Sequence, residues 1–215
     1  MFIDCHTHHS SGKGIFIRNV AENYASAIGE SPVSMGLHPW KIDPAHWEND
    51  LFSLQRSCIS SQVVAIGECG LDKMITTELA MQKVVFQKQI RLAASLQKPL
   101  IIHCVRAWEE VFSLLKQENF TKPVLFHGFN KSAELAQMII DRGYYLSFGS
   151  SLKIPAKQAL LRQIPSDRFL LETDDAPISI EEVYDFAAEA LQIDLNSLSL
   201  QIQKNASAVF GALEL

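Results

Sequence analysis

Met1-Phe2-Ile3-Asp4-Cys5-His6-Thr7-His8 runs from apolar residues into two histidines one residue apart. On a β-strand side chains alternate with period two, so His6 and His8 face the same way. Two strand rises separate their backbones by roughly 6–7 Å, a span across which two imidazoles can converge on one divalent ion. By itself the pair describes equally well two polar residues at the end of a strand. It gains weight because the pattern recurs along the chain.

Further short apolar runs follow, each ending at a polar or glycine-rich corner. After Phe2–Cys5 they are Ile15–Val20, Val33–Leu37, Val63–Gly67, Pro99–Ile102, Val124–Phe126, Tyr144–Phe148 and Phe169–Leu171. Between most of them the apolar residues recur at helical spacing. Asp43–Ile59 reads as a helix with Asp43 as N-cap and Pro44 in the first turn. Thr77–Gln97 is the longest, with Leu79, Val84, Phe86, Ile90, Leu92 and Ala93 available for its buried side. Ala107–Glu118, Lys131–Arg142 (capped by Ser132, ended by Gly143), Pro155–Ile164, Ile180–Leu191 and Leu195–Phe210 complete the set.

Alternation of strand and helix implies a mainly parallel sheet, and this many strands imply an α/β fold closed as a (β/α) barrel. The beginning is irregular. His6 to Gly14 is too short to hold a crossover helix, since such a connection takes a dozen or more residues. A barrel distorted near its start is expected, with Ile15–Val20 a short or antiparallel piece. No repeat or linker divides residues 1–215, so one domain is expected.

The chain has 215 residues, 47% of them apolar, which predicts a folded protein and excludes a disordered one. No run reaches the ~18 apolar residues of a membrane span. The sequence begins on a strand without a charged leader, so a cytoplasmic protein is expected. Its four cysteines, Cys5, Cys58, Cys69 and Cys104, have neither CxxC spacing nor a disulfide framework, and burial as small apolar groups is their expected role. A net charge of −5 argues against a general nucleic-acid coat protein but not against an enzyme that grips phosphate through metal ions.

The decisive residues lie at the C-terminal ends of the apolar runs: His6 and His8, His38, Glu68, His103, His127, and the segment Glu172-Thr173-Asp174-Asp175. In parallel barrels these ends form the face that carries the active site. Five of seven histidines fall there, leaving His9 and His46 as surface groups. Imidazole and carboxylate donors without cysteine suit zinc, manganese or a similar divalent ion. His6, His8, His103, His127, Glu68 and Asp174 are more ligands than one tetrahedral ion takes. Two ions bridged by a carboxylate, roughly 3.5–4 Å apart, use such a set.

These motifs resemble the TatD family of metal-dependent hydrolases over nearly the whole length. Ile3-Asp4-Cys5-His6-Thr7-His8 looks like the family's opening. Gly36-Leu37-His38-Pro39, Ile66–Asp72, Pro99–His103, Phe126–Phe129 and Leu170–Asp174 look like its later motifs in order, and Tyr145–Gly149 and Asn205–Gly211 also look like its late segments. The resemblance implies a distorted TIM barrel of the metallo-dependent hydrolase type and a deoxyribonuclease or related phosphodiesterase. It implies that His6, His8 and Asp174 hold one divalent ion, that His103 and His127 hold a second, and that Glu68 bridges. It leaves the ion open among zinc, manganese, magnesium and nickel. Asp174 would also orient or deprotonate the attacking water, with Glu68 as its catalytic partner. The implied substrate is a DNA end or a small phosphodiester, with no membrane partner.

Departures from the family pattern bear on substrate choice. The segment between His8 and Gly36 is short, which reduces one barrel unit near the N-terminus, and the stretch after Asp174 is trimmed. Val105 stands where the family usually has an arginine, with Arg106 one place later, and Trp40 stands where many members carry a histidine. His38 and Arg106 are the substrate-binding candidates; a turn role before Pro39 competes for His38, and solvated charge competes for Arg106. Lys131 and Lys153 lie in loops of the same face. Asp72, Glu172 and Asp175 can support ligands or cap helices. Trp40, Trp108 and Phe129 can stack on a base or pack. Two other functions compete: an ester or amide hydrolase, such as an aminoacyl-tRNA deacylase, and a metal-binding protein without turnover. The strand end that carries a modified lysine in many amidohydrolases offers Glu68, which favours the TatD-like reading.

Overall fold

A computed structural model describes residues 1–9, 14–27, 29 and 32–213. Its strands are β1 (Ile3–Thr7), β2 (Ile15–Val20), β3 (Val33–Met35), β4 (Val63–Asp72), β5 (Leu100–Val105), β6 (Val124–Phe126), β7 (Tyr145–Phe148) and β8 (Phe169–Leu171). They make one eight-stranded sheet in the order β1 to β8. A parallel bridge between Thr7 and Asp174 joins β1 to the chain leaving β8. The fold is therefore an α/β barrel of the TIM type, as the alternation of runs predicts. Its helices are α1 (Trp47–Ser57), α2 (Leu79–Leu96), α3 (Trp108–Gln117), α4 (Ala133–Ile140), α5 (Pro155–Leu161), α6 (Ile180–Leu191) and α7 (Leu195–Phe210).

The distortion lies where the short early spacing puts it. Among the described residues, neither the β1–β2 nor the β2–β3 connection holds an α-helix; the second has only a 3₁₀ turn at Tyr24–Ser26. β2 nevertheless runs parallel to β1, with Ile3 opposite Ile15. Of the two expected alternatives, a short or an antiparallel piece, this rules out the antiparallel one. Seven residues can span at most roughly 23 Å, more than the roughly 17 Å of a five-residue strand. A parallel return therefore needs no helix here.

The residues group into two compact units, one of 1–18 with 125–215, the other of 19–124. In the first, α6 buries Ile180, Val183, Tyr184 and Ala187, a stripe at helical spacing. Ser179 and Glu182 form a capping box at its start. The Tyr184 hydroxyl accepts from the Ile3 N–H at 3.0 Å and donates to the Ile3 carbonyl at 3.2 Å, tying α6 to β1. Phe148 stands between Phe129 and Phe169, with ring centroids 6.0 and 6.4 Å away.

In the second unit β4 pairs with β3 and β5. It runs five residues beyond the predicted Val63–Gly67, ending at Asp72. Glycine makes the extension possible. Gly70 has φ +144°, and a Cβ there would collide with the His103 carbonyl oxygen on β5. Two helix expectations also need correcting. α1 begins at Trp47, not after Asp43, because Asp43 turns its carboxylate onto the Ala45 N–H at 2.9 Å and closes a separate turn before the helix. On α2 the buried residues are Gln82, Val85, Phe86, Gln89, Ile90 and Ala93, whereas Val84 is exposed and Leu79 and Leu92 are half-buried. Two glutamines occupy the stripe that apolarity alone assigns elsewhere. Among the described residues no helix is long and apolar enough to cross a membrane.

Candidate metal centre

Each unit carries a cluster of imidazoles and carboxylates on or just beyond its strands; in the second, Glu68 stands four residues before the end of β4 and His103 two before the end of β5. In the first, His6 is fully buried near the end of β1, and His8 follows it, exposed. Asp174 follows β8 with φ 56°. Its N–H donates to the His6 carbonyl at 2.9 Å, and its own carbonyl accepts from the His8 N–H at 2.9 Å. Those backbone bonds bring the side chains together. Asp174 Oδ1 is 3.5 Å from His6 Nε2 and 3.5 Å from His8 Nε2. His127, just past β6, lays its ring 4.4 Å from that of His6. One ligand atom from each of His6, His127 and Asp174 lies within 4.8 Å of the others.

Buried acids support this cluster. Glu172 accepts the Gly128 N–H and the Ser147 hydroxyl, both at 2.6 Å, and stands 3.8 Å from His127 Nδ1. Asp4 accepts the Thr173 hydroxyl at 2.6 Å and the Thr173 N–H at 3.1 Å, one residue from Asp174. Burial pushes the Asp4 carboxyl up to about 7 although the Thr173 bonds hold it down.

In the second unit Glu68 projects from β4, buried, with Oε1 2.8 Å from His103 Nδ1 and 3.0 Å from His38 Nε2. These three residues offer ligand atoms within 4.8 Å of one another. Asn19, at the end of β2, accepts the Glu68 N–H through its side-chain oxygen at 2.9 Å and donates to Glu68 Oε2 at 3.4 Å. His103 Nε2 lies 3.2 Å from Asp72 Oδ2, which also accepts the Trp40 indole N–H at 2.7 Å. Burial raises the Asp72 carboxyl, but hydrogen bonds from Trp40, the Met74 N–H and His103 outweigh it and hold it below the ordinary carboxylate range. Trp40 keeps 63% of its surface exposed, with its ring edge-on to His38 and His103.

The donor chemistry of both clusters fits a divalent ion: ring nitrogens and carboxylate oxygens at close range, with no thiolate among them. The four cysteines are buried free thiols. Burial pushes Cys58 and Cys104 up to about 12 and Cys5 and Cys69 well above their ordinary value. They are neither ligands nor nucleophiles at neutral pH.

Similarity to known proteins follows the same motifs. A family model described as TatD related DNase matches residues 17–211.

The chain belongs to the TatD-related DNase family.

Within that family it is 32% identical over 196 residues to the uncharacterized metal-dependent hydrolase YabD of Bacillus subtilis, covering 82% of this chain and 76% of that protein. It is 30% identical over 152 residues to an uncharacterized metal-dependent hydrolase of Buchnera aphidicola, covering 68% of this chain but 57% of the relative. The chain thus spans well under two thirds of that relative's length. The crystal structure of YjjV, a TatD homologue from Escherichia coli, superposes with a TM-score of 0.81 at 24% identity over 98% of both chains. A TatD family hydrolase from Entamoeba histolytica gives 0.82 at 17% identity, also over 98% of both. These likenesses establish the TIM-barrel fold of the TatD-related chain.

Within this fold the six sequence-derived ligand candidates divide between the units: His6, His8, His127 and Asp174 in one, Glu68 and His103 in the other. His38, expected at a substrate phosphate or in a turn, accepts the Trp40 N–H through Nδ1 at 3.1 Å and turns Nε2 onto Glu68. It is both the start of a turn and a member of the second cluster. Arg106 is exposed beyond β5 with φ 54°. Lys131 and Lys153 are exposed as well. His9 is exposed, and His46 precedes α1 and pairs with Asp43 at 2.7 Å, so both are the surface groups expected. Asn19, Asp4 and the two α2 glutamines also serve the clusters, with no motif in the sequence to mark them. Their one signal is polarity inside otherwise apolar strand and helix patterns.

Proposed function

We propose that this chain is a divalent-metal-dependent phosphodiesterase acting on DNA ends or small phosphodiesters. His6, His8, Glu68, His103, His127 and Asp174 hold two ions in this reading. The observation that carries it is the presence of an imidazole–carboxylate cluster of ligand dimensions in each unit. Family membership supports hydrolysis that depends on metal.

Bound divalent ions supply positive charge for the phosphoryl oxygens and acidify water. The protein supplies position and proton acceptance. Asp174, equidistant from the His6 and His8 nitrogens, orients the attacking water and takes its proton. Glu68 is fixed by Asn19 on one side and by His38 and His103 on the other, so its carboxylate is pre-oriented. Trp40 offers an exposed aromatic face beside His38 for a base.

The test is a substrate panel on protein stripped with chelator and reloaded in turn with manganese, magnesium, zinc and nickel. Single- and double-stranded DNA labelled at either end, dinucleotides and aminoacyl esters are compared, with metal content measured in parallel. Two ions per chain with release of nucleotides is the expected result. Hydrolysis of aminoacyl esters alone would replace the reading with an ester hydrolase. Bound metal with no turnover on any substrate would leave a metal-binding protein.

A further inference from the structure

We propose that Gln82 and Gln89 of α2 are positioning residues for the second cluster, each holding a strand end by both of its backbone groups. The proposal rests on the metal-centre reading above and assigns the parts that set its geometry.

The two side chains are each 1% exposed and seven residues apart. Seven residues turn an α-helix by roughly 700°, within about 20° of two full turns, so both project from one face roughly 10 Å apart along the axis. Gln89 Oε1 accepts the Leu37 N–H at 2.8 Å, and its Nε2 donates to the Leu37 carbonyl at 3.0 Å. Gln82 repeats the arrangement on Asp72: Oε1 accepts the N–H at 2.8 Å, and Nε2 donates to the carbonyl at 2.9 Å and to the Thr77 carbonyl at 2.7 Å. Each amide thus imitates a neighbouring strand for one residue.

The clamped residues are the informative part. β3 ends at Met35, so Leu37 lies beyond it, and its next residue is His38, which bonds Glu68. Asp72 is the last residue of β4, and its carboxylate meets both His103 Nε2 and the Trp40 indole. Both clamps therefore grip the chain where a strand stops and a cluster residue begins. A buried N–H or carbonyl without a partner is costly, so the backbone has one satisfied geometry here. A buried glutamine is also a poor choice for packing alone, since an apolar residue would fill the stripe without needing four or more partners. Retaining two on one stripe makes sense if the helix works as a rigid bar that sets the spacing of His38 and the Asp72–His103 pair.

The experiment uses the full chain labelled with ¹⁵N-histidine, metal-free and then loaded with cobalt(II). Gln82→Leu and Gln89→Leu are compared with Val85→Ala, an apolar truncation on the same buried side of α2. Imidazole ¹H–¹⁵N correlations of the metal-free protein are read first. Gln89→Leu is expected to shift the His38 ring signals, Gln82→Leu those of His103, and Val85→Ala neither. Cobalt affinity is then expected to fall about 10–100-fold in each glutamine variant, the usual effect of losing a group that orients a ligand. If a leucine variant does not fold, the glutamate variant replaces it, since it keeps the acceptor oxygen and loses the donor; a smaller shift in the same ring is expected. Ring signals that stay in place, or move equally in Val85→Ala, would overturn the proposal. Failure of the unaltered chain to bind cobalt would refute the metal reading and leave the ring signals to decide the clamps.

Discussion

Tyr184→Phe removes one oxygen atom from a fully buried ring and leaves its volume nearly unchanged. That oxygen serves both backbone groups of Ile3, at 3.0 and 3.2 Å. Burial pushes the phenol far above its ordinary pKa, so it acts only as a neutral hydroxyl. Two neutral hydrogen bonds contribute about 1 kcal/mol each, and a buried Ile3 N–H without its acceptor adds desolvation cost, for a total of about 2–3 kcal/mol. In a chain of this length each kcal/mol moves the melting temperature by about 2–4 °C, so a fall of about 5–10 °C is expected. Urea unfolding followed by circular dichroism is the direct assay, with a lower midpoint at unchanged slope. Because Ile3 opens the strand that carries His6, affinity for manganese should weaken along with stability. A loss below about 0.5 kcal/mol would show that water or a backbone shift replaces the hydroxyl, and that the α6–β1 tie does not anchor the strand.

Glu68→Ala should lower metal content and cut kcat/KM by more than the roughly 10–100-fold typical of a group that only supports a ligand; full metal content with full activity would remove Glu68 from the site. Trp40→Ala should raise KM for base-bearing substrates by about 10-fold or more, given about 1–3 kcal/mol for one stacked base, and more than it raises KM for a phosphodiester without a base, which feels only the loss of the indole bond to Asp72. Adding manganese at 100 times its dissociation constant should stabilise the chelator-stripped protein by about 2.7 kcal/mol, read as a rise in melting temperature that chelator reverses. Glu118 is held below its ordinary carboxylate pKa by Arg91, whose guanidinium bonds both its oxygens at 2.7 and 2.9 Å, together with Gln87. A depressed carboxylate stabilises above its unfolded pKa and loses that contribution as pH falls through the folded one. The melting-temperature gap between the native chain and Glu118→Gln should therefore shrink between pH 6 and about pH 3.

The sequence by itself determined the strand-end pattern. Short apolar runs that give way to His6, Glu68, His103, His127 and Asp174 can be read locally, from where apolarity yields to polar or glycine-rich residues, but not the continuation of β4 to Asp72 and β5 to Val105, which strand pairing decides. Helices α6 and α7 were legible to the residue for the same reason, with caps and apolar stripes that need no partner to be recognised. That no α-helix stands between β1 and β2 among the described residues followed from counting residues. Tertiary structure alone decided that β2 runs parallel, since direction depends on how far a seven-residue link must travel. It also decided that Asn19 grips Glu68 and that Gln82 and Gln89 face inward, displacing Val84 to the surface. A buried amide looks like any surface amide in a sequence. Its value depends on backbone groups left over where a distant strand ends, and only the folded chain brings those into reach.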